Sequence, residues 1–164
     1  MSGVPTPARD EAIRVMLCDD SAVARGALVR LLARDPSIRV VAQATDGRVA
    51  LDQLAAMAPA ARPDVLLLDL EMPVMDGLTA LPLVLRAAPG LPVIVASTLT
   101  ERGADATMNA LRAGAVDYLP KPSAAQGGMA DPRFGEELRA KVTGWARMRR
   151  RPGAQPPAAV QPGR

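Results

Sequence analysis

The chain has 164 residues, of which 49% are hydrophobic but only 2% aromatic, so its core must be built from Val, Leu, Ile, Ala and Met. There is no histidine, which excludes a Ser-His-Asp or Cys-His relay and any His-ligated metal centre, and the single Cys18 excludes an internal disulfide. The formal charge of +3 is unevenly spread: residues 133–164 hold eight Lys/Arg and two Glu, so the basic excess sits at the C-terminal end and the body is mildly acidic.

No uncharged apolar run approaches the roughly 18 residues needed to span a bilayer. The opening MSGVPTPARDEA lacks the apolar stretch of a secretory signal. The expectation is a soluble, cytoplasmic protein with no membrane insertion. The basic C-terminal run reads as a solvated linker flank, with no motif for nucleic acid.

In chain order, residues 1–12 read as an N-terminal tail. Five short Val/Leu/Ile-rich runs follow: IRVMLC (13–18), IRVVAQA (38–44), DVLLLD (64–69), PVIVAS (92–97) and VDYL (116–119). Helix-spaced segments lie between them. Residues 22–35 place Val23, Ala27 and Leu31 beside Ala24, Leu28 and Leu32, and residues 46–59 do likewise through Val49, Leu51, Leu54 and Met57. In 77–90 the pattern is interrupted by Pro82, which removes a helical hydrogen bond and predicts a late start or a kink. Residues 102–114 close on a glycine suited to a helix end.

Regular strand–helix alternation predicts an α/β fold, a doubly wound five-stranded parallel sheet with helices on both faces, over residues 13–122. Residues 123–150 read as a loop and a final helix, with Phe134, Leu138, Val142 and Trp145 at helical spacing. Residues 151–164, rich in Pro, Ala and Gly, read as linker or tail.

The charged residues at the strand ends carry the functional signal. Asp19 and Asp20 follow the first strand and Asp69 ends the third. In open parallel sheets the functional crevice lies outside the carboxyl ends of the strands, where the strand order reverses. Two carboxylates about 4 Å apart repel by roughly 4 kcal/mol at an effective dielectric near 20. Three therefore need compensation, and an all-oxygen pocket selects a hard cation such as Mg²⁺, with Mn²⁺ able to substitute. Ser97 and Thr98 end the fourth strand with hydroxyls. Lys121, between Pro120 and Pro122, follows the fifth and offers a point charge for phosphate oxygens. Carboxylate nucleophile, cation, hydroxyl and lysine are the parts for phosphoryl transfer. Singly, each has an ordinary explanation: a helix N-cap at Asp-Asp-Ser, a turn at Asp76-Gly77, a surface lysine, and a small buried hydrophobe at Cys18. Their joint placement at successive strand ends is what points to a site.

CDDSA (18–22), DLEMPVMDG (69–77), VASTLT (95–100) and AGAVDYLPKP (113–122) resemble the receiver domains of two-component response regulators in order and spacing. That resemblance implies strand order 2-1-3-4-5. It implies Asp69 as phosphoacceptor from a histidine kinase, with Mg²⁺ held by Asp19, Asp20, Asp69 and the backbone carbonyl of Glu71. It also implies Ser97 as switch hydroxyl, Lys121 as phosphate-contacting cation and Tyr118 as switch aromatic. STLTERGADATMNALRAGAVDYLPKP is similar, more narrowly, to the regulatory domain of chemotaxis protein-glutamate methylesterases. The resemblance implies a chemotaxis-type kinase as partner, a C-terminal methylesterase domain absent from this His-free chain, and chemoreceptors as indirect partners. On this reading the chain is a regulatory half, either cut at the linker or natural as it stands. Two other readings are a stand-alone receiver acting as adaptor or phosphate sink, and a Mg²⁺-dependent phosphohydrolase. The latter is disfavoured because such enzymes carry Asp-x-Asp after the first strand. Glu71 adds a fourth acid at the pocket mouth, either to contact the metal or its waters or to repel an incoming water and alter dephosphorylation.

Overall fold

Alternating helical and extended periodicity resolves into ten main elements in a computed structural model, which describes residues 12–123 and 127–150. They are β1 (Ile13–Cys18), α1 (Ala22–Leu32), β2 (Ile38–Ala44), α2 (Gly47–Ala56), β3 (Val65–Asp69), α3 (Gly77–Ala87), β4 (Val93–Thr98), α4 (Glu101–Ala113), β5 (Asp117–Lys121) and α5 (Pro132–Arg150). The sheet is parallel, in the order β2-β1-β3-β4-β5. The expected tails, apart from Ala12, lie outside the described residues.

β1 and β3 are apolar on both sides because both sheet faces are covered. Met16, Cys18, Leu66 and Leu68 pack with α2, α3 and α4 residues such as Leu54, Leu81 and Ala110. Val15, Leu17, Val65 and Leu67 pack with Leu28 and Leu32 of α1 and with Phe134, Leu138, Val142 and Trp145 of α5. Two of the chain's three aromatic side chains thus anchor α5 against this second face. Among the described residues no helix is long and apolar enough to cross a membrane.

Four expectations need correction. α3 does not start late: it begins at Gly77 on the Asp76 cap, whose Oδ1 accepts from Thr79 N at 2.8 Å, and is continuous through Pro82. Burial of Ala80, Leu81 and Val84 outweighs the missing proline hydrogen bond. α1 stops at Leu32, and Val23 is exposed, since only Leu28 and Leu32 of that helix are buried. α2 ends at Ala56, and a 3₁₀ turn at Pro59–Ala61 leads into β3. Two arginines of the basic run do not serve as a solvated flank: Arg149 donates to Pro63 O, and Arg150 donates to Ala12 O and to the buried carboxylate of Asp64, each at 2.5 Å. These bonds fasten the end of α5 to the amino edge of the sheet.

The loop from β3 to α3 is tightly constrained. A Cβ on Gly77 would lie 2.3 Å from Asp69 O and 2.8 Å from Leu70 Cα, both backbone atoms. Val74 sits at φ 65 while 86% exposed, a left-handed conformation that its β-branch resists and that no packing rewards. Gly77→Ala is expected to destabilise the protein by about 2 kcal/mol. Val74→Asn, which tolerates that φ, is expected to stabilise it by about 1 kcal/mol. Urea unfolding of the two variants checks both signs.

Candidate functional site

β1 and β3 are neighbours, with Cys18 beside Leu68, and the chain leaves them in opposite directions across the sheet. Their carboxyl ends flank the crevice where the strand order reverses. Asp19 leaves β1 just past its last residue and Asp69 is the last residue of β3. Asp19 and Asp69 are 2% and 4% exposed, whereas Asp20 is open to solvent. One carboxylate oxygen from each of the three lies within 4.8 Å of the others.

The end of β5 supplies the counter-charge. Thr98 of β4 pairs in register with Lys121, whose Nζ lies 3.1 Å from both Asp19 Oδ2 and Asp69 Oδ2. Backbone donors satisfy the remaining oxygens: Ser21 N donates to Asp19 Oδ1 at 2.9 Å, and Glu71 N to Asp69 Oδ1 at 3.1 Å. Pro120 precedes Lys121 inside β5, which is tolerated because β5 is an edge strand.

Burial is the largest influence on Asp69 and pushes its carboxyl up to about 6; Lys121 and the Glu71 N–H pull the other way, and Asp19 adds to the rise. Burial pulls the Lys121 ammonium down, but Asp69 and Asp19 outweigh it and hold it above its ordinary value. With three carboxylates gathered around one lysine, the pocket's acids outnumber its lysine. Cys18, beneath the site, is not a nucleophile. Burial, with Asp46, Asp69 and Asp19 adding, pushes its thiol up to about 12, and its Sγ lies 3.5 Å from Met72 Sδ.

The Ser97 hydroxyl, in the last two residues of β4, is engaged with α4. Ser97 is buried and lies 2.5 Å from Thr107 Oγ1 on α4, which donates to Gly103 O at 2.9 Å. Tyr118 is half-buried on β5, its ring capped by Lys141 Nζ 4.8 Å from the centroid. Glu71 is exposed at the rim, with Met72, Asp76 and Arg102 lining the same cleft. Asp19, Asp20, Asp69 and Lys121 thus converge, while Ser97 and Tyr118 stand to one side, around a cavity of about 450 Å³ between α4 and β4/β5.

Sequence reasoning missed Thr107 and Lys141. A signal for Thr107 was present: a polar residue on the apolar stripe of α4, four positions after a glycine. Lys141 left only its i,i+4 spacing from Glu137 on the same helix, since its other partners, Asp117 and Tyr118 O, meet it only through the docking of α5 on β5.

The family description "Response regulator receiver domain" matches residues 15–130. The protein-glutamate methylesterase/protein-glutamine glutaminase of Azospirillum brasilense is 47% identical over 163 residues, covering 98% of this chain and 40% of that protein. The corresponding protein of the group 2 operon of Rhodospirillum centenum is 45% identical over 161 residues, covering 93% and 40%. The chain spans about 40% of the length of these curated relatives. Among solved structures, the response regulator domain of Thermotoga maritima CheB matches with a TM-score of 0.68 at 38% identity, covering 83% of this chain and 97% of that one. The chain belongs to the response regulator receiver domain family, and within it is similar to the receivers of protein-glutamate methylesterases.

Proposed function

We propose that this chain is a phospho-accepting switch of a cytoplasmic chemotaxis system. In this reading Asp69 takes a phosphoryl group from a histidine kinase, and the change is read by a methylesterase domain that longer relatives carry. The observation that carries the proposal is Lys121 bridging two buried carboxylates beside a third. A structural ion pair would not need the extra acid, whereas a site built to receive a phosphoryl group needs a nucleophile, a cation site and a lysine together.

The residues fit a divalent cation. The donor set is all oxygen, the ligand atoms lie within 4.8 Å of one another, and the acids exceed the single lysine in charge. Asp19, Asp20 and Asp69 would hold Mg²⁺, or Mn²⁺ in its place, with the backbone carbonyl of Glu71. When bound, the ion supplies charge neutralisation between carboxylates and phosphoryl oxygens. The chain's own groups do the rest. An Asp69 carboxylate oxygen forms the bond to phosphorus as the donor's N–P bond breaks. Lys121, already 3.1 Å from Asp69, follows the transferred oxygens. Ser97 turns to donate to the phosphoryl group, and Tyr118 moves with it.

The output surface in this proposal is the face made by α4, β5 and the start of α5, where Leu99 is exposed beside the cavity that Tyr118 lines. Residues 13–122 form the switch core, α5 closes it, and residues 151–164 begin the linker toward a regulated domain. The longer relatives, of which the chain spans about 40%, support that arrangement.

Incubation with a small phosphodonor such as acetyl phosphate and Mg²⁺ is expected to label the wild-type chain, and Asp69→Asn and chelation are each expected to abolish the label. Undiminished labelling of Asp69→Asn sinks the assignment. A second expectation concerns pH in metal-free buffer. A carboxyl whose folded pKa of about 6 lies above the ordinary 3.8 binds its proton more tightly in the fold, so stability falls as pH rises between them. Asp69→Asn removes that penalty: its Tm should exceed that of the wild type above pH 6, with the difference shrinking toward pH 4. Mg²⁺ should raise the wild-type Tm more than that of the variant. Thermal melts across pH, with and without the ion, check both.

A further inference from the structure

The Ser97 hydroxyl is engaged in a chain of hydrogen bonds whose direction can be worked out atom by atom. Thr107 Oγ1 has one proton and donates it at 2.9 Å to the carbonyl of Gly103, which can only accept. In the Ser97–Thr107 contact the proton must therefore come from Ser97, so Ser97 Oγ–H points at α4. Both hydroxyls are buried.

The far end of this chain is locked into the first turns of α4. Gly103 N accepts no slack either: it donates to the capping hydroxyl of Thr100 at 3.0 Å, and Thr100 Oγ1 lies 3.1 Å from Thr98 Oγ1 at the end of β4. Gly103 itself is pressed so closely on β4 that a Cβ there would lie 2.3 Å from Thr98 O. Beside the relay lies the cavity of about 450 Å³, lined by Ser97, Thr107, Met108, Leu111, Tyr118 and Pro120. Its wall is mostly apolar, so it offers Thr107 little to replace a lost donor.

We infer that Thr107 is a positioning residue that holds Ser97 in its resting orientation and conveys the release of that hydroxyl to the start of α4. The inference rests on the proposed role of Asp69 and Ser97 and adds to it the group against which the phosphoryl must compete. Ser97 has one proton. When it is given to a phosphoryl oxygen on Asp69, Thr107 Oγ1 loses its donor in a buried setting. The strain falls on Gly103 and the Thr100 cap, and the adjoining cavity gives α4 and Tyr118 room to respond.

The test uses beryllofluoride with Mg²⁺ as an acyl phosphate mimic, titrated into the full chain and followed by fluorine NMR. Thr107→Val keeps the shape but removes the acceptor, leaving the Ser97 proton unpaired in its resting orientation. It is expected to tighten beryllofluoride binding about fivefold, the equivalent of one ordinary hydrogen bond. Thr107→Ala should act in the same direction, and Thr107→Ser, which restores the hydroxyl, should match the wild type. In a Ser97→Ala background Thr107→Val should change nothing, an outcome that a merely structural role for Thr107 would not produce. Unchanged or weakened binding in folded Thr107→Val and Thr107→Ala overturns the inference, as does equal tightening with and without Ser97. A wild-type chain that binds no beryllofluoride refutes the phosphoacceptor reading itself, a distinct result.

Discussion

The bridge from Lys121 to Asp19 and Asp69 is the contact on which the rest of the site depends. Two buried carboxylates 3.1 Å from one ammonium are tolerable only because that ammonium is held in place by the end of β5. The arrangement still leaves three carboxylates to one lysine, and burial, with Asp19 adding, pushes the Asp69 carboxyl up to about 6. A pocket with this imbalance is poised to take up positive charge. The strand order follows from the same requirement, since β1 and β3 must be neighbours for their terminal acids to meet, and β4 must pair with β5 for Lys121 to reach them.

Much of this was legible in the sequence because strand ends are legible. An apolar run buried on both faces cannot continue through a carboxylate, so Asp69 marked both the end of β3 and the edge of the sheet. The end of β1 before Asp19 follows from the same contrast, whereas β2 is an edge strand of alternating exposure. Helix ends were less legible. The apolar spacing of α1 ends with the helix at Leu32, so the 22–35 segment overran only into Ala33, Arg34 and Asp35, and Val23 shares the helical period of the core while facing solvent. Pro82 misled in the other direction. A proline interrupts a helix by a known amount, but the buried face it shares with Ala80, Leu81 and Val84 is a tertiary quantity that periodicity does not weigh.

Side-chain networks were the least legible part. Nothing in the sequence pairs Trp145 with Asp117, yet its Nε1 donates to Asp117 Oδ2 at 3.0 Å, and Lys141 lies 3.4 Å from the other oxygen of the same carboxylate. These contacts fix α5 against β5, next to Tyr118. The face that α4, β5 and α5 share is thus tied at one side by the Ser97–Thr107–Gly103 relay and at the other by Lys141 and Trp145. A displacement of α4 would therefore be expressed against a fixed α5, giving a change of surface shape in place of a general loosening.

The charge distribution explains why a basic chain keeps an acidic pocket. The acids gather at the carboxyl edge of the sheet, while Arg14, Arg149 and Arg150 gather around Asp64 at the amino edge. β1 separates the two edges by six residues, and at about 3.3 Å each that is roughly 20 Å. The Debye length at physiological ionic strength is about 8 Å, so the arginines do little to neutralise the acids through solvent. Their role is local, to hold the end of α5 on the sheet. Neutralisation at the opposite edge must come from groups within contact distance: Lys121 on the carboxylates themselves, and Arg25, whose Nη1 donates to Asp19 O at 2.6 Å.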